Sequence, residues 1–216
     1  MRKTPHRLRQ ILACAVIGAG MLLGHAGEGH AQSTTLSQAL YSKNGGGSSW
    51  WGNGGGSGGG FVTVNPDKGD LLVLGAGAVT LFNFKDDEST AGQFRFEYRP
   101  NESLWILRPF GGFEVSTEGS TYLYGGLLAD VMLGKRVYVM PNAALGWYTQ
   151  GGGRDLGYPL EFRSGLEVGW RFDGGWRAGV AMHHLSNANI ADKNPGVEEV
   201  SLNVSMPLTS VLSLAH

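Results

Sequence analysis

The feature that most constrains the fold is a two-residue period in side-chain polarity that recurs from about residue 70. In the segment QFRFEYR, Phe94, Phe96 and Tyr98 alternate with polar residues. The segments LEFRSGLEVGWRF, from Leu160, and VSLNVSMPL, from Val200, repeat the pattern. Because successive side chains of a β-strand point to opposite faces, each segment is predicted to be a strand with one apolar and one polar face.

Eight segments of this kind are predicted, and no amphipathic helix of useful length separates them. They cover roughly residues 70–84, 91–100, 104–116, 121–134, 136–150, 158–172, 175–187 and 197–208. Many are longer than a strand in a soluble protein needs, and their length suits a tilted membrane strand. The sequence therefore predicts an all-β fold, an eight-stranded antiparallel transmembrane β-barrel of the bacterial outer membrane over residues 70–208.

The composition of the two faces favours a membrane barrel over a soluble, lipocalin-like one. The polar faces mix both charges, with Arg95 beside Glu97 and Glu161 beside Arg163, as a closed interior of paired charges requires. The apolar faces are rich in Phe, Tyr, Trp and Leu, as a lipid-facing band is. Most connections alternate between short and long, and in outer-membrane barrels the short ones are periplasmic. The connection after the third strand is short and departs from this pattern.

The residues outside the predicted barrel form three further regions. Residues 1–31 are predicted to be a secretory signal peptide, with basic residues, a short apolar core and a cleavage site after Ala26 or before Gln32. Residues 32–69 are rich in glycine and are predicted to be a flexible lead-in. Residues 209–216 are predicted to be a C-terminal tail.

The only cysteine, Cys14, lies in the signal peptide, so the exported chain is expected to have no disulfide, thiol chemistry or cysteine metal site. The formal net charge of −1 includes the basic signal peptide, and no basic patch indicates a nucleic-acid partner.

The most informative stretch is GVAMHHLSNANIADKNPGVEE, at the end of the seventh predicted strand and in the loop after it. His184 and Ser186 share the parity of the lipid-facing residues, whereas His183 has the inward parity. Glu198, on the next strand, has the outward parity of Val200. An unpaired polar group in the hydrocarbon of a membrane costs several kcal/mol. Polar side chains that face lipid are therefore expected to be paired or to have a function.

These three outward residues have the chemistry of an activated serine. Residues i and i+2 on one strand face lie about 6.5–7 Å apart, which an imidazole can span to a hydroxyl. A carboxylate on the neighbouring strand can orient the imidazole, which completes a nucleophile, base and acid. Asn187 and Asn194 are candidate oxyanion donors. The pair His-x-Ser arises often by chance, however, and two polar residues at the membrane rim are the alternative interpretation.

The stretch HLSNANIADKNPGVE closely resembles the motif of the lipid A 3-O-deacylases of PagL type. The resemblance implies an eight-stranded outer-membrane barrel of a Gram-negative bacterium that removes the 3-linked acyl chain of lipid A. It implies His184 as the base, Ser186 as the nucleophile and Glu198 as the third member. Asn187 and Asn194 match positions near the family's site, and Gly196 is expected to shape the loop.

The resemblance implies lipopolysaccharide and the membrane as partners. No cofactor is expected, and a metal-dependent deacylase is disfavoured, because the site has one base and one acid and no carboxylate cluster suited to calcium. A homodimer is left open. Two other functions are also left open: a structural or adhesive barrel without activity, and a barrel phospholipase or acyltransferase. The chain departs from the expected pattern in its glycine-rich lead-in and in ending with SLAH rather than a terminal aromatic residue.

Overall fold

The computed structural model of the chain describes residues 61–67, 69–79 and 90–214. The predicted signal peptide and most of the predicted lead-in lie outside these residues, as do residues 80–89 after the first barrel strand. Within the described part, no helix has both the length and the apolar character that crossing a bilayer requires.

The described chain contains ten antiparallel strands, a single 3-10 turn at Asp173–Gly175 and a short C-terminal helix. In chain order the strands and the helix are β1 Val62–Val64, β2 Leu71–Val79, β3 Ala91–Arg99, β4 Leu107–Ser116, β5 Thr121–Ala129, β6 Val131–Leu133, β7 Val137–Thr149, β8 Leu160–Arg171, β9 Arg177–Ser186, β10 Val197–Pro207 and α1 Leu208–Leu214.

Eight of these strands close into a barrel, which confirms the predicted fold. Strand β2 pairs with β3, β3 with β4, and β4 with β5. Strand β5 then pairs with β7, and pairing continues through β8 and β9 to β10. The last strand pairs with the first, from Pro207 opposite Leu71 to Glu199 opposite Val79, so the barrel has no open edge. The predicted strand 104–116 begins only at Leu107, because Leu104 and Leu107 form an isolated bridge in the preceding turn.

The inward and outward faces are those of a membrane barrel. On β3, Phe94 and Phe96 are exposed, whereas Arg95 and Glu97 are almost completely buried. A soluble barrel would show the opposite arrangement, because it hides its aromatic side chains from water. The predicted lipid-facing aromatic surface and polar interior are therefore confirmed.

Interlocking ion pairs fill much of the interior. The Arg95 Nε atom donates to Glu114 Oε1 at 2.6 Å, and Arg163 also binds Glu114. The Arg99 Nη2 atom lies 2.7 Å from Glu97 and 2.8 Å from Glu167. A buried charge is strongly destabilising unless it is paired, so this network is a condition for closing the barrel around ionisable residues.

The lengths of the connections identify the two ends of the barrel. The turns at residues 134–136 and 172–176 are short, whereas the connections at 150–159 and 187–196 are long. By the general rule for these barrels, the long-loop end faces the cell surface and the short-turn end faces the periplasm. We refer to them as the outer and periplasmic ends.

Part of the region predicted to be a flexible lead-in is ordered at the periplasmic end. Strand β1 pairs with β6, and the Asn65 N–H donates to the Asp130 carbonyl. Asp67 then ion-pairs with Arg171 and with Arg177, whose side chain is buried. We call residues 61–67 the strap. The prediction for residues 32–69 did not include an ordered strap, because only the tertiary fold brings two arginines close to Asp67.

The predicted C-terminal tail is also structured. Helix α1 follows the last barrel strand directly, and the Leu208 N–H donates to the Asp70 carbonyl. The last barrel strand ends at Pro207, one residue before the predicted boundary.

Candidate active site

The outer ends of β9 and β10 hold a histidine and a glutamate in contact on the lipid-facing surface. The register pairs His184 directly with Glu198. The His184 Nδ1 atom lies 2.6 Å from Glu198 Oε1, and the two side chains are 47% and 40% exposed. The neighbouring His183 is 3% exposed and accepts a hydrogen bond from Arg95 inside the barrel. The predicted parity of the two histidines is therefore confirmed.

This contact determines which nitrogen of His184 can act as a base. An ionised carboxylate only accepts hydrogen bonds, so the Nδ1–H group of His184 is the donor to Glu198. The Nε2 atom then carries the free lone pair. The contact with Glu198 thus orients the ring and favours the tautomer that leaves Nε2 free.

Ser186 lies two residues beyond His184 on the same strand. The register places Val197 opposite Leu185, so Gly196 follows at the level of Ser186. A Cβ atom on Gly196 would lie 2.9 Å from His184 Cε1 and 3.4 Å from Nε2. The Nε2 edge of the ring therefore faces the level of Ser186. Among the described residues, the Ser186 hydroxyl makes no hydrogen bond. A hydrogen bond between a catalytic base and its nucleophile often forms or shortens only when substrate binds.

Asn187 connects two outer loops rather than facing the surface. Its side-chain amide donates to the carbonyl of Leu156 at 2.8 Å and to that of Lys193 at 2.7 Å. The residue is fully buried. Both amide hydrogens are therefore used within the protein, which favours a site-shaping role over the oxyanion role.

Asn194 completes this arrangement from the loop between β9 and β10. Its Oδ1 atom accepts a hydrogen bond from the Asn187 backbone N–H at 3.0 Å, and its Nδ2 atom lies 3.2 Å from Asn189 Oδ1. Leu156, whose carbonyl accepts the hydrogen bond from the Asn187 amide, lies in the loop at residues 150–159. It is 1% exposed and packs into the core. The loop that follows Ser186 is thus attached to the barrel core.

The backbone directly after Ser186 and Asn187 adopts an unusual conformation. Ala188 and Asn189 have φ angles of 53° and 61°, a left-handed region that side chains with a Cβ atom avoid. Such backbone strain persists only where the surrounding structure enforces it, and it is frequent at functional sites. The contacts of Asn187 and Asn194 supply that enforcement here.

One polar residue near the site was missed in the sequence. Ser164 of β8 is paired with His184 and is exposed on the lipid-facing surface. It interrupts an otherwise apolar face between Phe162 and Leu166. That interruption is the sequence feature from which Ser164 could have been identified. Ser164 is therefore a second hydroxyl close to the imidazole, on the side away from Glu198.

Both the sequence and the fold of the chain are similar to those of known proteins. A family model described as lipid A 3-O-deacylase (PagL) matches residues 88–207, which is more than half of the 216-residue chain. The crystal structure of the outer membrane enzyme PagL aligns with a TM-score of 0.52 at 20% identity, over 64% of this chain and 99% of that chain.

Two further barrels align less well. De novo designed transmembrane β-barrels give a TM-score of 0.45 at 10% identity, over 66% of this chain and 98% of theirs. The Yersinia pestis outer membrane protein Ail gives 0.40 at 11% identity, over 64% of this chain and 100% of that chain. No curated protein sequence matches.

Proposed function

The chain belongs to the lipid A 3-O-deacylase (PagL) family, and on that basis we propose that it cleaves the 3-linked ester of lipid A with Ser186 as its nucleophile. It is accordingly an outer-membrane carboxylic ester hydrolase. In this proposal His184 is the general base and Glu198 is the acid that orients it. The observation that carries these roles is the 2.6 Å contact between His184 Nδ1 and Glu198 Oε1 beside Ser186.

The proposed reaction has two steps. The Ser186 Oγ atom attacks the ester carbonyl while His184 Nε2 takes the hydroxyl proton. His184 then donates this proton to the departing 3-oxygen of lipid A, which leaves as an alcohol. In the second step His184 Nε2 takes a proton from water, which attacks the acyl-enzyme carbonyl. His184 returns that proton to the departing Ser186 Oγ, and a hydroxy fatty acid and free Ser186 are released. Asn187 and Asn194 hold the loop in position, and no cofactor or metal enters either step.

The position of the proposed site suits a lipid substrate that arrives laterally in the outer leaflet. The residues of β9 on the same face, Val180 and Met182, are exposed apolar side chains. An apolar groove of about 660 Å³ also opens on the lipid-facing surface, between Phe94 and Leu202. Leu202 lies four residues from Glu198, or about 13 Å along the strand. An acyl chain bound at Ser186 therefore has apolar surface to follow toward the membrane centre.

The decisive experiment is mass spectrometry of lipid A from Gram-negative cells that express the wild type, Ser186→Ala or Ser164→Ala. Wild type and Ser164→Ala are expected to remove one 3-linked hydroxyacyl group, and Ser186→Ala is expected to remove none. Ser164→Ala is a matched control, because it deletes the other hydroxyl beside His184. Loss of activity in Ser164→Ala alone would transfer the nucleophile to β8.

The remaining functions are distinguished by the products. Unchanged lipid A from a folded wild type would contradict the proposal and favour the inactive barrel. Free fatty acid from phospholipid would indicate a phospholipase, and an acyl chain moved to a new acceptor would indicate a transferase. The homodimer left open by the sequence has no support from the comparisons, and the proposed triad lies within one chain.

A further inference from the structure

A basic pocket lies at the periplasmic end of the barrel, opposite the proposed active site. It has a volume of about 350 Å³ and lies between the strap and the two turns at residues 134–136 and 172–176. We call it the rim pocket and define it by Lys135, Arg136, Arg171, Phe172 and Asp173. The volume falls in the range of pockets that hold small ligands.

The charges around the rim pocket do not balance. Lys135 is exposed and has no ion-pair partner among the described residues. Arg136 pairs at 3.1 Å with Asp173, whose side chain is 93% exposed, and such surface pairs are weak. Arg171 pairs with Asp67, but Asp67 also binds Arg177 and is thus shared between two cations. The pocket therefore retains positive charge that an anion can neutralise.

The geometry of the rim pocket is fixed by the backbone. The Arg171 N–H donates to the Arg136 carbonyl at 2.6 Å, which joins the two turns. Strand β1 forms the other wall through its pairing with β6. The three cations are consequently held on two segments that a backbone hydrogen bond joins, so a ligand can bind them without first ordering a loop.

The position of the rim pocket indicates which anion it meets. Phe172 lines it and is 46% exposed, and Trp170, two residues earlier on the same lipid-facing side of the chain, is 47% exposed. Aromatic side chains at a barrel rim mark the level of the lipid headgroups. At this level of the periplasmic leaflet the abundant anion is the phosphate of a glycerophospholipid. Basic pockets on membrane proteins bind lipid headgroups in this way.

We propose that the rim pocket binds the phosphate of an anionic glycerophospholipid in the periplasmic leaflet, with Lys135, Arg136 and Arg171 as its cationic contacts. The lipid tails would lie against Trp170 and Phe172. This site is separate from lipid A hydrolysis, because it faces the opposite leaflet from Ser186. A lipid bound here would fix the depth of the barrel in the membrane.

Native mass spectrometry of the full-length protein in detergent micelles tests the proposal. Phosphatidylglycerol is titrated into wild type, Lys135→Gln, Arg136→Gln and the double variant. Each lost cation is expected to weaken binding about fivefold, and the double variant about 25-fold. The matched control is Lys193→Gln, which removes an exposed lysine at the outer end and is expected to bind as wild type does.

Two further ligands identify the source of the phosphate. Phosphatidylcholine is expected to bind more weakly than phosphatidylglycerol, and inorganic phosphate is expected not to displace the lipid at equal concentration. Displacement by inorganic phosphate would overturn the lipid in favour of a soluble anion. Binding by the double variant equal to that of wild type would overturn the site itself. Lys135 is an exposed turn residue, so its variant tests the pocket even if Arg136→Gln fails to fold.

Discussion

The Nδ1 atom of His184 lies 2.6 Å from Oε1 of Glu198, with the two residues on adjacent strands and both facing outward. If Glu198 holds the ring in the tautomer that leaves Nε2 free, Glu198→Gln removes that control. We expect the deacylation kcat to fall by about 10²- to 10⁴-fold. A rate assay on purified lipid A in mixed micelles measures the loss.

Glu102→Gln is the control for this prediction, because Glu102 is an exposed glutamate in a periplasmic turn. It is expected to retain the wild-type rate. Unaltered kcat in a folded Glu198→Gln protein would mean that the contact with His184 serves packing and not catalysis.

Gly196 lies so close to His184 that a methyl group there is expected to displace the ring. Its φ is +64°, and an added Cβ atom would lie 2.9 Å from His184 Cε1. We expect Gly196→Ala to abolish most activity. It should also lower the free energy of unfolding by about 1–2 kcal/mol, the cost of holding an alanine in the left-handed conformation. Both quantities are measured on the same preparation, by lipid A turnover and by urea unfolding.

Gly134→Ala separates these two effects. Gly134 has a similar φ of +68°, with nothing within 4 Å of an added Cβ atom, and it lies at the other end of the barrel. This control is expected to lose similar stability and to keep its activity. Equal activity loss in both variants would show that backbone strain, rather than the position of His184, accounts for the effect.

Asn187 offers a test between positioning and oxyanion stabilisation. Removal of its amide in Asn187→Ala leaves the buried carbonyl of Leu156 and the partly buried carbonyl of Lys193 without their donor. Unsatisfied buried groups cost about 1–3 kcal/mol each, so we expect reduced unfolding free energy together with reduced turnover. Urea unfolding and kinetics on the same protein measure both changes.

An oxyanion donor would behave differently. Its removal lowers kcat while the fold keeps its stability. A large loss of kcat with unchanged unfolding free energy would therefore restore the oxyanion role of Asn187. Asn101→Ala, in a periplasmic turn, is the control and is expected to change neither quantity.

The barrel and much of the site could be predicted because the relevant signals are local. Alternation along one strand determines which side chains face lipid, and the outward parity of His184 follows from it. The same parity, applied to β10, predicted that Glu198 shares that face, and the structure pairs the two residues.

The residues that were missed depend on contacts distant in sequence. Asn187 appeared to be an oxyanion candidate because the burial of its amide depends on a loop 31 residues away. Ser164 reaches His184 only through the pairing of β8 with β9, and alternation alone does not give the register between two strands. The strap was missed for the same reason, because Asp67 meets Arg171 and Arg177 only in the tertiary fold.

Asp67 provides the test of that strap. Its side chain is 8% exposed and pairs with both Arg177 and Arg171. Asp67→Asn removes the negative charge between two arginines. We expect the free energy of unfolding to fall by about 1–3 kcal/mol. Removing one partner of a fully buried ion pair typically lowers it by about 3–5 kcal/mol. The loss is smaller because Asp130 still pairs with Arg177 at 2.7 Å and Arg171 reaches solvent.

Asp173→Asn is the matched control for the strap, since it neutralises a second aspartate at the same end of the barrel. Its side chain is 93% exposed beside Arg136, and exposed pairs contribute little. Urea unfolding in micelles is therefore expected to separate the two variants by more than about 1 kcal/mol. Equal stability in Asp67→Asn and Asp173→Asn would mean that the ion pairs of Asp67 with Arg171 and Arg177 do not hold the strap in place. In that case the pairing of β1 with β6 alone would retain it, and deletion of residues 61–64 would be the more damaging change.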